Sequence, residues 1–169
     1  MLSKGPNVTL RRLSKGDLAV FQAYRNDPDV ARYQSWQPMS DEQAIGFLSA
    51  VATEPLLQPG QWSQIGIADR PTGTLLGDIG VHVAQDLSAA EIGITLARAS
   101  QRAGRATEAL GLAITLVLET LPVRKIWLIT DDRNQRSIAL IRRVGATYSH
   151  SETAAGVTEQ FHFLDRPPG

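Results

Sequence analysis

Residues 101–106 of this chain read Gln101-Arg102-Ala103-Gly104-Arg105-Ala106 and stand between a predicted strand, Glu91–Leu96, and a predicted amphipathic helix, Ala106–Leu121. A glycine-containing turn that opens a helix points several backbone N–H groups at one place, where the helix dipole adds partial positive charge. Gly104 has no Cβ, so the backbone can approach an anion closely, and Arg102 and Arg105 add cationic groups. The stretch fits a phosphate site, although alone it is more typical of an ordinary helix N-terminus.

A second motif gives the first one its weight. It follows a run of β-forming residues, Lys125–Thr130, and reads Asn134-Gln135-Arg136-Ser137-Ile138-Ala139-Leu140-Ile141-Arg142-Arg143-Val144-Gly145-Ala146. Its apolar residues recur at helical spacing, with Asn134 at the expected N-cap and Gly145 at the expected C-cap. Two strand–turn–helix units in succession, each with a polar or glycine-containing start, therefore shape the second half of the chain.

Together the two motifs resemble the acetyl-CoA-binding core of the GCN5-related N-acetyltransferases (GNAT). That family carries Q/R-x-x-G-x-G/A after its fourth strand, here Gln101, Gly104 and Ala106. It carries N-x-x-S/A-x-x-L-x-x-x-G after its fifth strand, matched in order by Asn134, Ser137, Leu140 and Gly145. The segments Leu10–Leu13, Asp27–Tyr33 and Gly73–Gly80 resemble the branch of ribosomal-protein N-terminal acetyltransferases (RimJ/RimL-like). The resemblance extends from about residue 8 to about residue 164.

The resemblance implies an α/β (α+β) fold with a mixed, mostly antiparallel seven-stranded sheet, flanked by helices and splayed between strands 4 and 5. The pantetheine arm of acetyl-CoA would lie in that splay, and a bulge in the fourth strand would aim an N–H at the thioester carbonyl. The implied cofactor-binding residues are Ile94, Leu96, Gln101, Arg102, Ala103, Gly104, Arg105, Ala106, Thr107, Asn134 and Ser137.

Element patterns agree with one domain spanning residues 1–169, with a core of about residues 8–164. Capping boxes at Ser14 and Ser40 begin helices, and Asp27-Pro28 begins a short one. Strands are expected at residues 8–13, 61–69, 75–83, 91–96, 125–130, 146–150 and 158–164. The resulting order, β-α-α-α-β-β-β-α-β-α-β-β, predicts one main sheet.

Composition narrows the function classes. The 169 residues include 17 basic and 17 acidic side chains, so no global charge favours nucleic acid or an anionic membrane. The chain has no cysteine, which excludes disulfides, thiolate metal sites and a cysteine nucleophile. No His/Asp/Glu cluster has metal-ligand spacing, and no targeting or membrane-spanning segment is recognisable. We expect a cytoplasmic protein without a metal, as a monomer or homodimer.

Glu91 and Ser137 are the predicted catalytic residues. Glu91 begins the strand that leads to the phosphate turn, where a carboxylate can deprotonate an ammonium substrate through water, although an exposed strand-end acid is the simpler interpretation. His82, on the preceding strand, titrates near neutrality and is a weaker candidate base. Ser137 would hydrogen-bond the CoA sulfur. Many family members place a tyrosine acid where this chain has Ile141, so a donor there is missing.

The acceptor site is expected around Tyr33 and Trp36, together with His82, because aromatic side chains line concave sites as well as cores. The acids Asp29 and Glu42 are also first-turn helix residues. The expected function is direct acetyl transfer from acetyl-CoA to a primary amine, with a protein N-terminal α-amine as the first candidate acceptor. A small-amine or aminoglycoside acetyltransferase, or a catalytically weak CoA-binding sensor or interaction module, remains as an alternative.

Overall fold

A computed structural model describes residues 1–101 and 104–169, and within them the chain forms eight β-strands and five α-helices. The strands are β1 Ser3–Lys4, β2 Val8–Arg11, β3 Trp62–Asp69, β4 Leu75–Val83, β5 Ala89–Leu96, β6 Lys125–Asp131, β7 Thr147–Ala154 and β8 Val157–Asp165. The helices are α1 Leu18–Arg25, α2 Pro28–Ala31, α3 Asp41–Thr53, α4 Arg105–Thr120 and α5 Gln135–Arg143. The order of elements agrees with the sequence prediction apart from one added strand.

The sheet has the strand order β1-β2-β3-β4-β5-β6-β8-β7 and is antiparallel except between β5 and β6. The expected seven strands are therefore wrong by one. Ser3–Lys4 pairs with Leu10 and Thr9 as a two-residue edge strand. Two residues are too few to show the alternation that identifies a strand in a sequence.

Local signals set the helix starts as predicted. The Ser40 hydroxyl accepts from the Gln43 N–H at 3.2 Å, and the Gln43 side chain accepts from the Ser40 N–H at 2.9 Å. The Asp27 carboxylate accepts from the Asp29 N–H ahead of Pro28, the first residue of α2. At the end of α5, Gly145 has φ +88°, which favours glycine.

Two apolar clusters cover opposite faces of the sheet. The larger lies between the sheet and α4, where Ala109, Leu110, Ala113 and Val117 are buried. The smaller joins α1 and α3 to Leu13 and Leu75. None of the helices in the described ranges is long and apolar enough to cross a membrane. The two faces of the sheet, on either side of the gap between β5 and β6, are thus covered by different helices.

Candidate active site

The cleft lies where β5 and β6 separate. These parallel strands pair over three residues, from Ala89 with Lys125 to Glu91 with Trp127. Beyond that point both strands line a cleft of about 1460 Å³, β5 with residues 92–96 and β6 with residues 128–131. The α2–α3 connection, α4 and α5 complete its walls. If β1 is not counted, these are strands 4 and 5, between which the splay was expected.

Backbone groups of β5 face this gap. The Ala97 N–H donates to the Leu76 carbonyl of β4, and the Ala89 carbonyl accepts from the Ala84 N–H directly after β4. The alternation of an antiparallel ladder therefore turns the N–H and C=O groups of Ile94 and Leu96 toward β6. The register between β4 and β5 is constant from Gly77–Leu96 to Val83–Ala90, so the expected bulge does not interrupt this pairing. Divergence from β6, rather than a bulge, frees the backbone of β5.

The start of α4 offers backbone N–H groups to an anion. Gly104 is exposed, with φ +72°, and apart from its chain neighbours no heavy atom of the described residues would lie within 4 Å of a Cβ there. The first helical bond is from the Glu108 N–H to the Gly104 carbonyl, so the N–H groups of Arg105, Ala106 and Thr107 lack a helical acceptor. Ala106 lines the cleft. The predicted contacts of Arg102 and Ala103 lie outside the described residues.

The side chain of Arg105 does not take its expected place on the phosphate. Its Nη2 lies 3.2 Å from Oδ1 of Asp69, at the end of β3, so the guanidinium is neutralised away from the cleft. Glu108, an acid in the first turn of α4, is likewise turned aside. Its Oε1 accepts from the N–H groups of Asn7 and Val8 at 2.8 and 2.9 Å. Because these two charged side chains point elsewhere, they do not compete with the backbone N–H groups at the start of α4 for an anion.

Gln101 links the two sides of the cleft. Its Nε2 donates to the Leu96 carbonyl at 3.1 Å, and its Oε1 accepts from Nη1 of Arg136 on α5 at 2.8 Å. The Leu96 carbonyl therefore already has one partner, while its N–H is aimed at the gap. The Gln101 side chain therefore connects β5 to α5 at the edge of the cleft. Its partner Arg136 was not predicted from the sequence.

The N-cap of α5 and two residues within the helix line the cleft. The Oδ1 atom of Asn134 accepts from the Ser137 N–H at 3.2 Å, as expected of an N-cap. This leaves the Asn134 amide NH₂ group for a ligand. Ser137 lines the cleft one turn into α5, as does Ile141, which is 4% exposed. The apolar Ile141 side chain supplies no proton donor at this position.

Glu91 lies at the point where β5 and β6 separate, and burial raises the pKa of its carboxyl. The nearby Glu159 raises that pKa further, whereas His82 lowers it. His82 is the direct cross-strand neighbour of Glu91, and its ring lies 5.2 Å from that of Trp62. The structure thus places the two candidate bases side by side, with Glu91 lining the cleft.

Tyr33 and Trp36 both line the cleft from the α2–α3 connection. The Trp36 Nε1–H donates to the Arg25 carbonyl at 3.1 Å, and the Arg133 guanidinium, after β6, lies 5.6 Å from the Tyr33 ring. Of the two acids proposed for this region, Asp29 lines the cleft but pairs with Arg98 at 2.8 Å. Glu42 lies in the first turn of α3, outside the cleft lining.

A family model described as an acetyltransferase (GNAT) domain matches residues 7–147. The chain belongs to the GNAT acetyltransferase family. It is therefore an acetyl-CoA-dependent N-acetyltransferase, and the separation of β5 from β6, the exposed backbone of β5 and the start of α4 fit acetyl-CoA as its co-substrate.

Relatives of this acetyltransferase agree with the fold. It is 29% identical over 136 residues to an uncharacterized N-acetyltransferase, p20, of Bacillus licheniformis, covering 79% of this chain and 75% of the relative. A Vibrio cholerae protein provisionally described as a ribosomal-protein-serine acetyltransferase superposes with a TM-score of 0.79 at 22% identity, over 96% of each chain. A Vibrio cholerae spermidine N-acetyltransferase, solved with CoA and spermine, gives 0.79 at 17% identity, over 95% of this chain and 96% of that one.

A buried charged network, which sequence reasoning missed, supports the acceptor side of the acetyltransferase cleft. Asp78 of β4, 1% exposed, accepts from Nη2 of Arg25 at 3.0 Å, from Nε2 of Gln64 at 2.8 Å and from the Tyr24 hydroxyl. The Arg25 guanidinium lies 4.1 Å from the Trp36 ring. Burial raises the pKa of Tyr24, so its hydroxyl stays protonated as the donor. The available signal was an Asp inside an otherwise apolar strand.

Most of the acidic residues that line the cleft of the acetyltransferase are paired with arginines. Two hydrogen bonds from Arg133 hold the pKa of Asp131 down to about 2. Among the described residues that line the cleft, Glu91 and Glu159 are the acids without a salt bridge. No group of three or more possible metal ligands occurs within residues 1–101 and 104–169.

Proposed function

We propose that this acetyltransferase, acting as one domain over residues 1–169, moves the acetyl group of acetyl-CoA directly to the α-amine of a peptide or protein N-terminus. The observation that carries the proposal is the open acceptor side of the cleft. Trp62 is 57% exposed and Gly93 is exposed, and both lie on the sheet face of Glu91. A site for a whole small molecule usually encloses most of its ligand. An open face suits an acceptor of which only the end enters.

Charge on the acceptor side also favours a monoamine over a polycation. Binding several ammonium groups requires several unpaired carboxylates, but Asp29, Asp78 and Asp131 are each held by an arginine. Glu91 and Glu159 then provide for one ammonium group rather than several. This weakens the polyamine and aminoglycoside alternatives. The fold is common to both classes of acceptor, because the provisionally described ribosomal-protein-serine acetyltransferase and the spermidine N-acetyltransferase superpose with the same TM-score of 0.79, so the proposal depends on the open face and the charges.

In the proposed reaction, Glu91 takes a proton from the ammonium group, directly or through water, because a carboxylate with a raised pKa is a better base. The neutral amine forms the new C–N bond at the thioester carbonyl. Backbone N–H groups at the gap, such as that of Leu96, are suited to hold the pantetheine arm or the developing oxyanion. The C–S bond then breaks, and the nitrogen gives its second proton, directly or through water, to the leaving thiolate, so that the products are the amide and the thiol of CoA. Ser137 is the side chain proposed to hydrogen-bond that thiolate, because Ile141 has no donor.

The experiment compares thiol release from acetyl-CoA with three acceptors at one concentration. These are a peptide with a free α-amine, the same peptide with a blocked α-amine and one lysine, and spermidine. The proposal expects release with the first peptide and an acetylated N-terminus by mass spectrometry. Release with spermidine alone would move the acceptor to the small amines. Saturable binding of acetyl-CoA without release on any acceptor would instead favour the CoA-binding sensor.

A further inference from the structure

On the face of the sheet that carries Glu91, here called the acceptor face, one row of residues has almost no side chains. The registers of β3, β4 and β5 place three rows of residues side by side: Trp62, His82 and Glu91; Gln64, Gly80 and Gly93; and Gly66, Asp78 and Thr95. Cross-strand neighbours share a face, and successive rows are roughly 7 Å apart. The middle row has no side chain on β4 or β5, directly beside the row that ends in Glu91.

The space above this part of the sheet is open at Gly93, whereas two neighbouring side chains lie close to Gly80. A Cβ built on Gly93 would meet no heavy atom within 4 Å. A Cβ on Gly80 would lie 3.3 Å from Cζ3 of Trp62 and 3.3 Å from Oε1 of Gln64. The Trp62 ring and the side-chain oxygen of Gln64 therefore cover the buried Gly80 and border a slot whose floor is the exposed backbone of Gly93. We call this the glycine slot.

The groups around the glycine slot have a definite chemistry. The Nε2 of Gln64 donates to Asp78 at 2.8 Å, which orients its Oε1 toward the slot as a hydrogen-bond acceptor. Trp62 supplies an aromatic surface, and Glu91 supplies a carboxylate at the neighbouring row. An ammonium group followed by a flat amide bearing an N–H matches this arrangement. That combination is the first residue and first peptide unit of a polypeptide.

We infer that the glycine slot is the subsite that receives the first peptide unit of the acceptor, with its plane against Gly93, between the Trp62 ring and the Gln64 side chain, and its amine toward Glu91. This inference rests on the proposed function and adds the residues that select the acceptor. Gly93 has no side chain and leaves room for the peptide unit. A side chain introduced at this position would occupy that space. Acetyl-CoA binding, which uses the gap and the starts of α4 and α5, would be unaffected.

The test compares Gly93→Val with the parent, using two synthetic conjugates. One joins the α-amine of a tetrapeptide to the sulfur of CoA through an acetyl bridge, and the other joins methylamine in the same way. Valine favours β-strands and the position is open, so this variant is expected to fold. Gly46→Ala is the matched control, since Gly46 of α3 also has nothing within 4 Å of a Cβ. Affinities are measured by calorimetry, together with that of CoA itself.

The parent and Gly46→Ala are expected to bind the peptide conjugate roughly tenfold or more tightly than the methylamine conjugate. In Gly93→Val the two conjugates should bind equally, with the affinity for CoA unchanged. A peptide preference that survives in Gly93→Val, one absent from the parent, or a loss of CoA affinity in the variant would each overturn the inference. Release of thiol with another amine would still leave an acetyltransferase, whereas a parent that binds no CoA would overturn the proposed function as well.

Discussion

Replacing Asp78 by Asn should destabilise the protein strongly, because the substitution leaves the charge of Arg25 without its partner. Asp78 is 1% exposed and Arg25 is 9% exposed, and Nη2 of Arg25 lies 3.0 Å from both carboxylate oxygens. Removing one member of a buried ion pair costs about 3–5 kcal/mol. For a chain of this length the melting temperature should then fall by roughly 6–20 °C.

The measurement is urea unfolding followed by tryptophan fluorescence, supported by calorimetry. Asp165→Asn is the matched control, since Asp165 pairs with Lys125 at 2.7 Å but its side chain is 65% exposed. That substitution should cost about 1 kcal/mol or less. Replacing both buried partners, as Arg25→Met with Asp78→Leu, should recover much of the stability lost in Asp78→Asn. An Asp78→Asn variant within about 1 kcal/mol of the parent would refute the reasoning.

Three further substitutions test the site. Gly104→Asp should weaken acetyl-CoA binding roughly tenfold or more, whereas Gly104→Asn, which tolerates the positive φ of +72° and adds no charge, should weaken it less; equal calorimetric affinities would remove the phosphate site from this turn. Glu91→Gln should lower kcat about 10²-fold and abolish the fall in activity seen as the pH drops through the raised pKa of Glu91, so a pH–rate profile identical to that of the parent would exclude Glu91 as the base. The same variant should be more stable than the parent at neutral pH and equally stable at acid pH, because burial penalises only the ionised carboxyl. Ser137→Ala should lower kcat roughly tenfold without changing acetyl-CoA affinity, and an unchanged kcat would show that the thiolate leaves without help from this hydroxyl.

Much of the fold could be predicted from local signals. The bounds of β4 were predicted as Leu75–Val83 and are found there, since turn residues stand on both sides. Ser40 and Asn134 cap helices as expected, because their side chains accept from N–H groups three residues away. Such contacts need no knowledge of the rest of the chain. The two-residue strand β1 escaped because its pairing with β2 is all that defines it.

The candidate site was predictable where it depends on motifs and unpredictable where it depends on packing. The sequence pattern placed Gly104 at the start of one helix and Asn134 at the start of the next, and in the structure Asn134 and Ala106, two residues after Gly104, line the cleft. It could not reveal that Arg105 turns toward Asp69, or that Asp78 bonds to Arg25, 53 residues away in sequence. These contacts depend on which strands are neighbours. Sequence spacing carries no such information.

The central claim is that the gap between β5 and β6 binds acetyl-CoA and delivers its acetyl group to an amine. The most direct test is a calorimetric titration of the protein with acetyl-CoA, followed in the same sample by addition of a peptide with a free α-amine and measurement of released thiol. We expect saturable one-site binding that free CoA competes away, and thiol release in step with acetylation of the peptide. A protein with native secondary structure that does not bind acetyl-CoA would contradict the assignment of the β5–β6 gap as the acetyl-CoA site.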